Sequence, residues 1–426
     1  MTDKNLKNDT NLTTNHQSDE ATAEKSLFIS VWKVDAGEKL YFPTQGREGT
    51  IIVDWGDGSS DTISSGDDEY ILHKYSDDGI YTIKVDGMIT KWSCNLGITE
   101  ECDEECDEEC DEECDEEYDE EYDEEYDEDP RINAHKLIKI LSYGKTSFGP
   151  YAFKDACNLT GLPENESPRF FENSMEGVFY GASGFNQSIH HWDTSKITDM
   201  REMFLGAKAF NQPLNDWNTS NVTNMSYMFY GASRFDRPLN DWNTSNVTNM
   251  SNMFWEAKSF DQPLNNWNTS NVTNMSYMFF GAEAFNQPLN NWNTSNVTNM
   301  SYMFSYAESF NQPLNDWDTS NVTNMSELFD YAKSFNQPLN KWNTSNVTDM
   351  SCMFSYAGCF NQPLNDWDTS NVTDMSCMFS HAKAFNQPLN DWDTSNVTNM
   401  SYMFREAKSF DQPLNNWNTS NVTNMS

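Results

Sequence analysis

Apolar residues return along the second half of this chain with a fixed beat. In the segment that starts at Trp217 they stand at Trp217, Val222, Met225, Met228, Phe229, Ala232, Phe235 and Leu239, with polar residues between them. The set recurs every 25 residues, so that a Trp occupies 192, 217, 242, 267, 292, 317, 342, 367, 392 and 417. Nine full copies run from Trp192 to Asn416, and ten residues of a further copy follow. A fixed period of this length marks a solenoid, in which each unit buries its apolar face only against its neighbours. Within a copy, Met225, Met228, Phe229, Ala232 and Phe235 fall at i, i+3, i+4, i+7 and i+10, which predicts a short helix. Thr223 or Asn224 is its N-cap and Pro238 lies beyond its end. So short a helix is marginal alone and must be held by the adjacent copies. The preceding Thr219-Ser220-Asn221-Val222-Thr223 is β-branched and polar, and suits a short strand pairing in parallel with its copies.

Residues 27–96 show a different pattern. LFISVWKV, KLYF, GTIIVDWGDG and GIYTIKVDG are short β-branched and aromatic runs separated by Gly and Asp turns, as in an all-β unit. The run Val53-Asp54-Trp55-Gly56-Asp57-Gly58, followed by His73-Lys74-Tyr75 and Gly79-Ile80-Tyr81, resembles the PKD family of small β-sandwiches. Asp54, Asp57 and Asp61 are candidates for a Ca²⁺ site, but their spacing does not fit an EF-hand loop. Capping of a tight turn by Asp54 and Asp57 is the preferred reading.

The repeat phrase W-[ND]-T-S-x-V-T-[ND]-M-x-x-M-F-x-x-A-x-x-F-[ND]-Q-x-L resembles the BspA-like leucine-rich repeat of bacterial surface proteins, the mycoplasma-type 25-residue lipoprotein repeat. The resemblance covers about 240 residues. It implies a leucine-rich-repeat-like solenoid, with a short parallel strand and a short helix per coil. It also implies a place on the cell surface or outside the cell, and adhesion to a protein of a host or neighbouring cell or of the matrix.

Between the β unit and the array, residues 97–130 form an acidic low-complexity linker that repeats every four residues. Cys102, Cys106, Cys110 and Cys114 keep the same phase as Tyr118, Tyr122 and Tyr126. Blocks of like charge repel one another, so an extended spacer is expected in preference to a soft-metal site of four thiolates. The linker supplies 23 of the 67 acidic residues, and the rest of the chain still carries −18 of the net −41. That sign is wrong for a phosphate backbone, so nucleic acid is not a partner. No stretch has the ~18 uncharged apolar residues of a membrane span. Residues 1–26 read as a polar disordered tail without the apolar core of a signal peptide, which leaves an intracellular scaffold or effector as an alternative. Residues 131–187 read as degenerate capping repeats, and residues 188–426 as the regular array. Its last copy ends at Asn-Met-Ser with Leu414, Trp417 and Val422 open, which predicts self-association there.

Candidate chemistry is sparse. The six His (16, 73, 135, 190, 191 and 381) have no metal-ligand spacing and no nucleophile motif around them, and no Gly-rich phosphate loop occurs. The expectation is a binding protein, not an enzyme, with no cofactor and no metal. Two faces are candidates. One is a ladder of Asn221, Thr223, Asn246, Thr248, Asn271, Thr273, Asn296 and Thr298, expected on the concave side, where it would meet a protein, a polysaccharide or a periodic solid such as ice. The other is an aromatic patch of Tyr227, Tyr230, Trp255, Tyr277, Phe280 and Tyr302 on the helical face, suited to docking a protein.

Overall fold

The computed structural model describes residues 26–64, 66, 70–94 and 133–426. The polar tail and the acidic linker with its four Cys lie outside the described residues.

The N-terminal region is all-β, in two sheets. Six strands precede the linker: β1 (Phe28–Val34), β2 (Lys39–Pro43), β3 (Arg47–Asp54), β4 (Ser60–Ile63), β5 (Tyr70–Lys74) and β6 (Gly79–Ile89). Beyond it comes β7 (Leu137–Ser142), and the larger sheet has the order β4-β3-β6-β1-β7. Strands β2 and β5 form the second sheet. The alternating apolar side chains of these strands meet between the sheets, where Trp32, Phe42, Trp55, Val53 and Val85 are fully buried. Strand β7 pairs antiparallel with β1, Trp32 opposite Leu137 and Ser30 opposite Ile140. The stretch read as capping repeats thus begins as an edge strand of the N-terminal sheet. Lys136 reinforces the join by pairing with Glu38.

The stack starts directly from that edge. Ile140 N–H donates to Gly161 O at 2.9 Å, and β8 (Ser147–Phe148) pairs in parallel with β9 (Arg169–Phe170). From Tyr151 onward each coil bonds to the next, first across 25 residues and from Met175 across 24. Phe153 N–H donates to Val178 O, and Phe179 N–H to Met203 O, and the pattern repeats as far as Tyr402.

The expected helix does not form. Among the described residues the helical content is two three-residue 3₁₀ turns, Ala134–Lys136 and Phe171–Asn173. In the coil that starts at Trp217, alternate N–H groups leave the coil altogether. Met225, Tyr227, Phe229 and Gly231 donate to Asn249, Ser251, Met253 and Trp255 of the next coil, at 2.7–3.1 Å. The N–H groups between them close four-residue turns: Met228 to Met225, Tyr230 to Tyr227 and Ala232 to Phe229. Tyr227 (φ 57°) and Gly231 (φ 64°) are left-handed at the third position of two of these turns, as in a type II turn. Successive turns repeat the apolar corner every three or four residues, which is why their spacing imitates a helix. Met225, Met228, Phe229, Ala232 and Phe235 are all fully buried, as that spacing requires.

The expected strand over 219–223 does not form either; the parallel pairing is a single bridged residue per coil just beyond it, Asn224 to Asn249 and so on along the array. Side chains complete the stack. Thr219 Oγ1 donates to Asn243 O at 3.0 Å, and Trp242 Nε1 to Leu214 O at 2.9 Å. Asn286 Oδ1 accepts both Asn311 N–H and Gln312 Nε2, each at 3.0 Å. Each interior coil buries about eight apolar side chains, worth ~1.5–3 kcal/mol for each of the larger ones. That gain exists only when both neighbours are in place.

Candidate functional site

Ring spacings give the array a direction of curvature. Equivalent, nearly parallel rings in consecutive coils are separated by the local translation of the coil. The spacing is 4.4 and 4.1 Å along Tyr306, Tyr331 and Tyr356. It is 5.8 and 5.7 Å along Phe304, Phe329 and Phe354, and 6.0 Å from Phe310 to Phe335. Between Trp342 and Trp367 it reaches 6.3 Å. The coils are therefore closest on the tyrosine side and widest on the Trp side. The stack bends toward the tyrosines, which lie on its inner surface.

A continuous row of half-buried rings runs along that surface. It begins at Tyr230 and passes to Trp255 (5.2 Å between centroids) and Phe280 (4.2 Å). From Phe280 it crosses to Tyr306 (5.4 Å) and continues through Tyr331, Tyr356 and His381 at 4.1–4.4 Å. Every member is intermediate in exposure. The crossing is a change of sequence position. Where the sixth residue of the turn segment is large, the seventh is Gly or Glu: Tyr230-Gly231, Trp255-Glu256, Phe280-Gly281. Where the sixth is small or acidic, the seventh carries the ring: Ser305-Tyr306, Asp330-Tyr331, Ser355-Tyr356, Ser380-His381. One ring per coil is kept through the exchange.

The six residues singled out from sequence fall on or beside this row. Tyr230, Trp255 and Phe280 are members. Tyr277 packs against Trp255 at 4.8 Å and stacks on Tyr302 at 4.2 Å, while Tyr227, 38% exposed, lies 6.2 Å from Tyr230. Tyr306, Tyr331, Tyr356 and His381 escape a reading confined to single columns. The size exchange between neighbouring columns is the signal that finds them.

The Asn/Thr ladder is exposed in every coil, at Asn221, Thr223, Asn246, Thr248, Asn271, Thr273, Asn296 and Thr298. Its donors are engaged inside the stack. Asn246 Nδ2 donates to Ser220 O at 2.7 Å, and Thr223 Oγ1 to Thr198 O at 3.2 Å. The same bonds recur at Asn271 and Asn296. The ladder thus binds one coil to the previous one.

In the N-terminal region the WGDG turn is closed by its own aspartates. Asp54 Oδ1 accepts Gly56 N–H at 3.0 Å, and Asp57 Oδ1 accepts Ser59 N–H at 2.8 Å. Asp61 Oδ2 accepts Trp55 Nε1–H at 2.8 Å. Against a cost of burial, the bonds from Ser59 and the pairing with His73 hold Asp57 down at about 2. His73 stacks on Trp55 at 4.4 Å, and Tyr75 Oη donates to Trp55 O. Gly56 (φ 78°) is required here, since a Cβ would meet Thr82 O at 2.6 Å. Among the described residues no group of three or more His, Cys, Asp or Glu is placed to hold a metal ion. No helix among them is long and apolar enough to cross a membrane.

The coils of the second half of the row also carry a buried acid, Asp330, and half-buried acid and thiol groups at Glu327, Cys352 and Cys377. Burial first, and then Glu327, push the Asp330 carboxyl well above the usual carboxylate range. Glu327 is raised by burial, with the neighbouring Tyr302 hydroxyl acting against that shift. Cys352 and Cys377 follow Glu327 in the same column.

No curated protein and no solved structure shows a significant match to the chain. One family model does, over residues 173–282, 263–358 and 337–426. These overlapping matches cover the stacked coils from the first turn after β9 onward, and more than half of the chain. The chain belongs to the tandem-repeat family described as Mycoplasma protein of unknown function, DUF285.

Proposed function

We propose that the chain is a non-catalytic binding protein that docks a protein partner along the inner surface of its array. The row of seven rings from Tyr230 to His381 carries this reading, because exposed aromatic surface in a continuous strip marks an interface. The rings lie against one another at 4.1–5.4 Å, so their faces are covered and their edges point outward. A sugar ring stacks on an open aromatic face. A ridge of ring edges suits apolar protein side chains better. The resemblances to the BspA-like repeat and to PKD-like modules support display at the cell surface and adhesion to a host or neighbouring-cell protein, or to the matrix.

The test is binding of the full chain to a panel of extracellular-matrix and cell-surface proteins, with glycans in parallel. Substituting Tyr331→Ala together with Tyr356→Ala removes the middle of the row, and should weaken protein binding by roughly tenfold or more, as truncation of interface hot spots does. Undiminished protein binding, or binding to glycans alone, would refute the assignment. A second reading rests on the exposed Asn/Thr columns, whose regular repeat suits a periodic solid. Thermal hysteresis of the full chain measures it, and its absence removes that alternative. Fractionation of the producing cell separates surface display from an intracellular scaffold.

A further inference from the structure

Beside the row, Cys352 and Cys377 occupy the same position of consecutive coils, the column that holds Tyr277 and Tyr302 in earlier ones. Backbone bonds fix these coils in register. Cys352 N–H donates to Ser376 O at 2.8 Å, and Phe354 N–H to Met378 O at 2.9 Å. Parallel neighbours so bonded stand ~4.8 Å apart, inside the ~4.4–6.8 Å Cα separation of a cystine. In a flat stack the side chains would remain too far apart, because the Cβ atoms of a cystine approach to ~3.5–4.5 Å. Curvature removes that obstacle. Side chains on the inner surface converge, and the rings of Tyr277 and Tyr302 in this very column are 4.2 Å apart. The two thiols are close enough for each to shift the acidity of the other.

The pair is also chemically asymmetric. The neighbouring Cys352 lowers the Cys377 thiol, and Arg405 assists against burial and Asp374. Cys377 in turn, together with burial, pushes Cys352 up. Cys377 is thus the more acidic of the two sulfurs, and Cys352 the one that holds its proton more tightly. A lowered, accessible thiol beside a second thiol is the arrangement of an oxidisable sulfur and its resolving partner. Cys359, two turns away, is exposed and has no second thiol beside it in its own column.

We propose that Cys352 and Cys377 form a redox site that closes to an inter-coil disulfide with hydrogen peroxide as oxidant. The Cys377 thiolate attacks one peroxide oxygen. The O–O bond breaks, the departing hydroxide takes a proton to become water, and Cys377 becomes a sulfenic acid. The sulfur of Cys352 then attacks that of Cys377. The S–O bond breaks, and the hydroxyl leaves with the Cys352 proton as a second water. Two thiols and one peroxide give one disulfide and two waters. The sulfurs lose two electrons and the peroxide gains them. The bond would staple together the two coils that carry Tyr356 and His381.

The experiment treats the folded full chain with hydrogen peroxide, alkylates the remaining thiols under denaturing conditions, and maps the peptides by mass. Chymotrypsin is the suitable protease, because Phe354 and Phe360 separate the three Cys of this region, whereas no Lys or Arg lies between Lys341 and Lys383. The expected product is a cross-linked pair of peptides holding Cys352 and Cys377, short of two hydrogens, with both sites lost to alkylation before Cys359 reacts. In Cys352→Ser, no cross-link forms and a sulfenic acid at Cys377 is trapped by dimedone. Full alkylation of Cys352 and Cys377 after the peroxide is consumed would overturn the proposal. So would oxidation of Cys377 to sulfinic acid with Cys352 still reduced, or a cross-link that appears only after unfolding. The unsubstituted chain decides the matter by itself, whatever the variant does.

Discussion

Replacing Glu256 by glycine and, separately, by alanine tests whether the coils are built of turns. Glu256 stands at φ 50°, in the column where Gly206, Gly231 and Gly281 stand at φ 62–67°. Both substitutions remove the same side chain, so the difference between the variants belongs to the backbone. In a left-handed conformation a residue with a Cβ costs ~1–2 kcal/mol that Gly does not. Gly gives back ~0.4–1 kcal/mol through its greater freedom in the unfolded chain. Glu256→Gly should therefore be more stable than Glu256→Ala by about 0.5–1 kcal/mol. A helix through this segment reverses the sign, because Gly in a helix is about 0.8–1.0 kcal/mol worse than Ala. The two architectures differ by about 1.5–2 kcal/mol, which is several degrees in midpoint at ~2–4 °C per kcal/mol for an array of this size. Thermal and urea unfolding followed by Trp fluorescence is the assay, since each interior coil buries its Trp almost completely. Coils depend on their neighbours, so a local change registers in the melting of the array. Finding the alanine variant more stable by about 1 kcal/mol would refute the turn architecture.

Asn321→Ala removes the bond from Nδ2 to Ser295 O (2.7 Å) and should cost ~0.5–1.5 kcal/mol, read as a lower urea midpoint. An unchanged midpoint would mean that the ladder does not hold the coils. Asp330→Asn should stabilise the array at neutral pH. Asp330 is 6% exposed, and burial followed by Glu327 raises its carboxyl. An acid so raised contributes stability fully only below its unfolded value of ~3.9, and that contribution is lost as pH rises through the folded value. The gain over the parent chain should be largest at neutral pH and should shrink toward about pH 4, where the carboxyl is protonated in the unfolded chain too. A gap independent of pH would show that Asp330 is not held neutral.

The period and the core were legible because they depend on local chemistry repeated many times. Trp217, Val222, Met225, Met228, Phe229, Ala232, Phe235 and Leu239 are the residues the stack buries. The backbone was not legible from the same pattern. Turns of three to four residues and a helix place apolar corners at the same intervals, and what separates them is where the alternate N–H groups go. Gly181, Gly206, Gly231 and Gly281, in the middle of the expected helix, were the local sign of a left-handed residue. Leu137 to Leu141 read as a strand from its own residues. Its partner β1 lies more than a hundred residues earlier, and nothing local specifies such a pairing. The aromatic row was half legible, since its first members share a column and its later members occupy the next one.

The row is not a by-product of the fold. Backbone bonds such as Phe229 to Met253 and Gly231 to Trp255, and the Asn and Trp side-chain bonds, join the coils without using the side chains at the sixth and seventh positions. Those positions accept Leu205 with Gly206 and Arg405 with Glu406, coils that stack without contributing a ring. Stacking therefore leaves the choice of side chain there open. An open choice would scatter the rings between the two columns. From Tyr230 to His381 there is instead one ring in each of seven coils, and when the sixth position gives it up the seventh takes it over, so the surface stays continuous while the sequence shifts. Rings that stack on one another from coil to coil keep that surface continuous, and a continuous aromatic strip is what the docking proposed above requires.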